Sequence, residues 1–155
     1  MKNFKLLILI TTILLLTTCS KDDANEPSSI EIGNYKFNFQ STFTLEEYQG
    51  IDSYAGKING SEISLSFDYG WYTRPAENLS VDEYLVTEKE INGHYRQIVK
   101  PLNSEANFTR IHLFKISDSI ENPHGYNSLT ISTNNLNTIE QKMIIAVFSN
   151  VEIIE

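Results

Sequence analysis

The chain has 155 residues, 12 basic and 20 acidic, for a formal net charge of −8. That balance works against nucleic acid and anionic lipid, since both would be repelled. A single cysteine, Cys19, excludes an internal disulfide and any cysteine-rich zinc cluster.

Lys2 and Lys5 precede an apolar and threonine run over residues 6–16, followed by Thr17, Thr18 and Cys19. A basic start, a short apolar centre and small residues before a processing point form a secretory signal. As a helix the run spans roughly 16 Å against a hydrocarbon core of about 30 Å, too short to cross. Leu16-Thr17-Thr18-Cys19 resembles the bacterial lipobox, although Thr18 stands where Gly, Ala or Ser is usual. The resemblance implies removal of residues 1–18, a diacylglyceryl group on the Cys19 sulfur and acylation of the new amino terminus. The membrane is then a partner through the lipid on Cys19. Ser20-Lys21-Asp22-Asp23 is similar to the lysine-plus-acid export signal of Bacteroidota surface lipoproteins. This implies an outer-membrane, lipid-anchored and surface-exposed protein, with the periplasmic face as the other address.

Residues 19–29 are the lipidated cysteine and a polar, Pro27-containing tether, with a coil span of roughly 17 Å. Without Lys2 and Lys5, ten basic residues face twenty acidic ones. Residues 30–155 read as one α+β domain, long enough to bury about two-thirds of its unfolded surface without a disulfide.

Tyr35, Phe37 and Phe39 alternate with polar residues, so three aromatics share one strand face. Asn59-Gly60 then predicts a two-residue type I′ turn, pairing Ile58 with Ser61 and Tyr54 with Leu65. That register puts Tyr54, Ile58, Ile63, Leu65 and Phe67 on one face. Ser53, Lys57, Glu62, Ser64, Ser66 and Asp68 lie on the other. It also sends Asp52 and Asp68 to opposite faces, which disfavours them as a hydrolytic carboxylate pair.

Gly70 should bend the strand and Pro75 force an extended path, leaving Trp71 at a strand exit. Asp68, Tyr69, Trp71, Tyr72 and Arg74 are the candidate ligand-binding cluster, suited to stacking on a sugar or gripping a peptide. The competing expectation, and the favoured one, makes Trp71 a plug closing the end of the core.

Ser80-Val81-Asp82-Glu83 reads as a capping box, with Val81, Tyr84 and Leu85 at helical spacing, so a short helix is expected near residue 81. Asn92-Gly93 marks a second hairpin, residues 87–91 against 94–100. Residues 108–116 and 129–132 read as strands. Asn137 with Glu140 caps the convincing helix, its inward stripe being Ile139, Met143, Ala146 and Val147, widened by Ile144, Ile145 and Phe148. Residues 151–154 return as a last strand.

Strands in series with helical segments only near residue 81 and near the end predict α+β with a curved antiparallel sheet built from hairpins. The final helix-then-strand order, the Asn-Gly hairpins and Ile91-Asn92-Gly93-His94-Tyr95-Arg96 resemble the curved-sheet domains typified by PsbP and DcrB. That resemblance implies a fold and no activity.

His94, His112 and His124 have no metal-ligand spacing, so no metal or other cofactor is expected. His94 and His124 read as exposed turn residues and His112 as a strand residue with a partner. Asp118-Ser119-Ile120 is similar to the short O-glycosylation site of the same bacterial group. No nucleophile elbow, phosphate loop or dinucleotide fingerprint occurs. The expected function is a non-enzymatic binding module for an envelope protein, peptide or glycan. A small envelope hydrolase with an unrecognised site is the other class.

Overall fold

The computed structural model describes residues 26–50, 52–103, 107–117 and 127–154. Among them the strands are β1 (Ser28–Ile32), β2 (Tyr35–Phe39), β3 (Thr44–Gln49), β4 (Ser53–Asn59) and β5 (Ser64–Gly70). Then come β6 (Tyr84–Ile91), β7 (His94–Pro101), β8 (Phe108–Lys115), β9 (Ser128–Asn134), the helix α1 (Thr138–Ser149) and β10 (Glu152–Ile153). Every pairing is antiparallel, in a seven-stranded sheet ordered β3-β4-β5-β9-β8-β7-β6 and a three-stranded sheet ordered β1-β2-β10. The α+β class with hairpins holds.

Period-two patterning builds the core. Tyr35, Phe37 and Phe39 are buried, and they meet Ile58, Leu65, Phe67, Ile111, Leu113, Leu129 and Ile131 from one face of the large sheet. Ile144, Val147 and Phe148 of α1 complete the cover, with the Phe148 ring edge-on to Phe37 at 6.4 Å. The small sheet and the helix thus close one face, the inner face, of the large sheet.

Several expectations change here. The Asn59-Gly60 turn is not a two-residue I′ turn: Ile58 pairs with Leu65 and Asn59 with Ser64, leaving 60–63 as a four-residue loop closed by Gly60 N–H to Ile63 O at 2.8 Å. Gly60 is not among the glycines with positive φ. Asn59 stays in the strand because its side chain bonds Ser64 Oγ (2.8 Å) and Glu46 Oε2 (3.0 Å), and the longer loop lets Ile63 enter the core. The register moves by four residues, an even number, so the two faces survive. Tyr54 faces Tyr69 rather than Leu65. Asn92-Gly93 is a left-handed two-residue turn, φ 50° and 75°, as the I′ reading requires.

The helix expected near residue 81 is one turn only. Ser80 O accepts from Glu83 N and Tyr84 N, then the chain extends as the edge strand β6, which pairs with β7 along one side over eight residues. Val81 is exposed. α1 keeps its Asn137–Glu140 capping box, but its buried stripe is Ile144, Val147 and Phe148, while Ile139 and Ala146 face out. β1 takes in Ser28 and Ser29, assigned by composition to the tether, because Ser28 Oγ donates to Ser41 O and accepts from Phe43 N.

His94 is buried, not an exposed turn residue. Its Nδ1 lies 3.0 Å from the Tyr35 hydroxyl, with the rings edge to face. Next on the same face, the Arg96 Nη1 donates to Ser149 O at 2.6 Å, a cation placed on the C-terminal end of α1. Cys19, the export-like signal, Asp118-Ser119-Ile120 and His124 lie outside the described residues. No described helix is long and apolar enough to cross a membrane.

Candidate functional site

The outer face of the large sheet is set by the same alternation. Ser64, Ser66 and Asp68 of β5 stand beside Thr130, Ser132 and Asn134 of β9, and these beside Phe108, Arg110 and His112 of β8. Beyond them Gln97 and Val99 of β7 continue the face. Among the described residues no sheet or helix covers it. Instead residues 71–83, which join β5 to β6, cross it as an extended strap.

Three successive strands hold that strap. On β9, the Ser128 hydroxyl bonds the Thr73 hydroxyl and donates to Gly70 O at 3.0 Å. On β8, Arg110 Nη2 donates to Arg74 O. On β7, Gln97 Oε1 accepts from Ala76 N at 2.7 Å while its Nε2 donates to Ala76 O at 3.1 Å. Gln97 is itself positioned by Glu88, whose Oε1 also accepts from the Tyr95 hydroxyl at 2.5 Å. Those two bonds hold the Glu88 carboxyl below the usual carboxylate range. The same network, with burial leading, pushes the Tyr95 hydroxyl up.

Between strap and sheet runs an open groove of about 530 Å³, lined by Asp68, Tyr72, Thr73, Arg74, Phe108, Arg110, Thr130, Ser132 and Asn134. Its floor mixes hydroxyls and an amide. Tyr72 forms an exposed rim, and Phe108 packs against Tyr84 with ring centroids 4.5 Å apart. Burial pushes the Arg110 guanidinium down from its usual range, yet such a group stays charged at neutral pH. Asp68 Oδ1 and Arg110 Nε are both buried with no hydrogen-bond partner among the described residues.

The five residues proposed as a cluster therefore separate. Asp68, Tyr72 and Arg74 line the groove. Trp71 is 55% exposed, so the core-plug expectation is wrong. It fails because the strand ends at Gly70 and the chain leaves over the outer face, away from the packed layer. Tyr69 points to the inner side, where a Cβ on Gly33 would run into its ring. Arg74 turns back on the strap, its Nη1 donating to Trp71 O and Thr73 O. Asp52 precedes β4 and is exposed, away from the groove lining.

Arg110, Thr130, Ser132, Phe108 and Asn134 were not singled out from sequence. The signal for them was the alternation of β8 and β9, but which strands neighbour β5 is a matter of topology.

No family model, curated protein or solved structure matches this chain. The site must then be judged on its own chemistry. Among the described residues no three His, Cys, Asp or Glu side chains gather as metal ligands. A second concavity of about 520 Å³ lies beside the N-terminus of α1, lined among the described residues by amides such as Asn103, Asn107 and Gln141 and by no ionisable side chain. The groove under the strap, by contrast, combines charge, hydroxyls and an exposed ring.

Proposed function

We propose that this chain is a lipid-anchored envelope protein whose folded domain acts as a non-enzymatic binding module, using the outer-face groove as its site. The address rests on the lipobox-like residues ending at Cys19 and on Ser20-Lys21-Asp22-Asp23. The observation that carries the binding reading is the groove itself, in which Asp68, Arg74, Arg110, Ser132 and Asn134 line one concavity beside the exposed Tyr72. Its volume is in the range of ligand pockets that fix orientation with a few polar groups. Among the described residues Asp68 is the carboxylate that lines the groove, where hydrolysis by paired carboxylates uses two.

Two measurements test the reading. Metabolic labelling with an alkyne fatty acid should mark the protein, and Cys19→Ala should remove the label; unchanged labelling would refute the anchor. Crosslinking in the producing bacterium followed by purification should recover a partner or ligand with the native protein and not with Tyr72→Ala. A recovery identical in both would refute the groove as the site.

A further inference from the structure

We infer that the groove under the strap binds a neutral saccharide, an assignment that rests on the binding-module reading above and names its ligand class. The argument is one of complementarity. Asp68 supplies an acceptor that carries negative charge, and Arg110 supplies a donor that carries positive charge; no ion pair joins them among the described residues. An anionic ligand would meet the Asp68 carboxylate, and a cationic ligand would meet the Arg74 and Arg110 guanidiniums. A ligand hydroxyl donates and accepts at once, so a polyol satisfies both groups without carrying charge into a half-buried site.

The rest of the lining agrees. Ser132 and Asn134 offer further small donors and acceptors along the floor, at the spacing of alternate residues on one strand, while the Thr130 hydroxyl is engaged by Arg110 and His112. Tyr72, 69% exposed, offers a flat ring of the amphipathic kind on which the apolar face of a sugar rests. The groove's volume of about 530 Å³ suits a short oligosaccharide rather than a single small ion.

A peptide fits less well for a structural reason. Peptides gripped by sheets add a strand to a free edge. β5, β9 and β8, which floor this groove, are all internal strands with partners on both sides. Their backbone groups are already in ladders, leaving only side chains to read a ligand.

Trp71 is the chain's single tryptophan and directly precedes Tyr72, so its emission reports on the groove rim. The test uses the full-length acylated protein in a non-glycosidic detergent. Trisaccharides of glucose, mannose, galactose, xylose and N-acetylglucosamine form the neutral arm, trigalacturonate the acidic arm and tetraalanine the peptide arm. At least one neutral trisaccharide should shift Trp71 emission saturably at millimolar concentration or below. Tyr72→Ala and Asp68→Asn should each weaken that binding tenfold or more, with Lys36→Ala, on the small sheet, unchanged. Melting temperatures of all three variants establish that the fold is intact.

Tighter binding of trigalacturonate than of every neutral sugar would overturn the class and leave the groove as an anion site. Binding of tetraalanine alone would overturn it in favour of peptide. No binding by any saccharide would also overturn it, while the crosslinking experiment separately decides whether the groove is a site at all.

Discussion

On its inner side the large sheet carries Ile58, Leu65, Ile111, Leu113, Leu129 and Ile131, all fully buried beneath a second sheet and a helix. The residues between them on the same strands, such as Ser64, Ser66, Asp68, Thr130 and Ser132, point outward, and a strap held by Ser128, Arg110 and Gln97 crosses part of that face. One face is closed by area, the other by a few hydrogen bonds. Area burial is non-directional and large, whereas single hydrogen bonds contribute about 1 kcal/mol each. A polar face under such a strap keeps open space, and open space beside unsatisfied polar atoms is what a ligand requires.

The contrast is broken most sharply by paired truncations. Phe148→Ala removes a fully buried ring from the inner layer and should cost about 3–5 kcal/mol in chemical denaturation. Ser132→Ala, on the outer floor, should stay within about 0.5 kcal/mol. Similar losses for both would abolish the distinction between the faces.

The loop at residues 60–63 sharpens it. A Cβ on Gly60 would sit 2.7 Å from the Phe43 ring, so Gly60→Val should destabilise by about 1–3 kcal/mol through overpacking. Shortening the neighbour in Phe43→Leu should recover part of that loss in a double-mutant cycle. If the two effects simply add, the cause is backbone strain and the turn has positive φ after all. Gly93→Ala is the counterpart: with φ 75° and nothing within 4 Å of a new Cβ, it should lose only about 1–2 kcal/mol from conformation.

Trp71→Ala comes next. A core plug would cost about 3–5 kcal/mol, but a ring 55% exposed should cost below about 1 kcal/mol. A drop in melting temperature as large as that of Phe148→Ala would return Trp71 to the core.

The smallest effect concerns pH. Glu88 has its folded-state pKa lowered by bonds from Tyr95 and Gln97, so it stabilises the fold above its unfolded value of about 4.3. That contribution is lost as pH falls through the lowered folded pKa. Glu88→Gln should therefore be slightly less stable than wild type at neutral pH, and the difference should shrink as the pH falls through that lowered folded pKa. A gap that persists at low pH would show that the carboxylate's charge is not what holds Gln97 and the strap.

Much of the fold is legible because alternation needs no partner to be read. The aromatic face of β2, the Asn92-Gly93 hairpin and the Asn137–Glu140 cap are local statements, and each holds. β1 and β3 were missed: their alternation is short, and β3 mixes Glu46, Glu47 and Tyr48 without a clean apolar face. Residues 80–85 misled because a capping box favours a helical turn only until tertiary pairing claims the following residues, here β6. Of the site, Asp68, Tyr72 and Arg74 were legible as a local cluster. Arg110, Thr130 and Ser132 reach it only through the β5-β9-β8 neighbourhood, in which β5 pairs Asp68 with Thr130 and β9 pairs Ser132 with Arg110.

β5 begins beside the loop at 60–63, the end of the domain where Ser28 bonds Phe43 and the described chain begins. It finishes at Gly70, next to Trp71. Seven antiparallel residues rise roughly 23 Å. The strand therefore works as a mast: it carries the indole and the Tyr72 rim one sheet-length from the corner where Ser28 meets Phe43, so the ring that lines the groove and the start of the described chain stand at opposite ends of one rigid element.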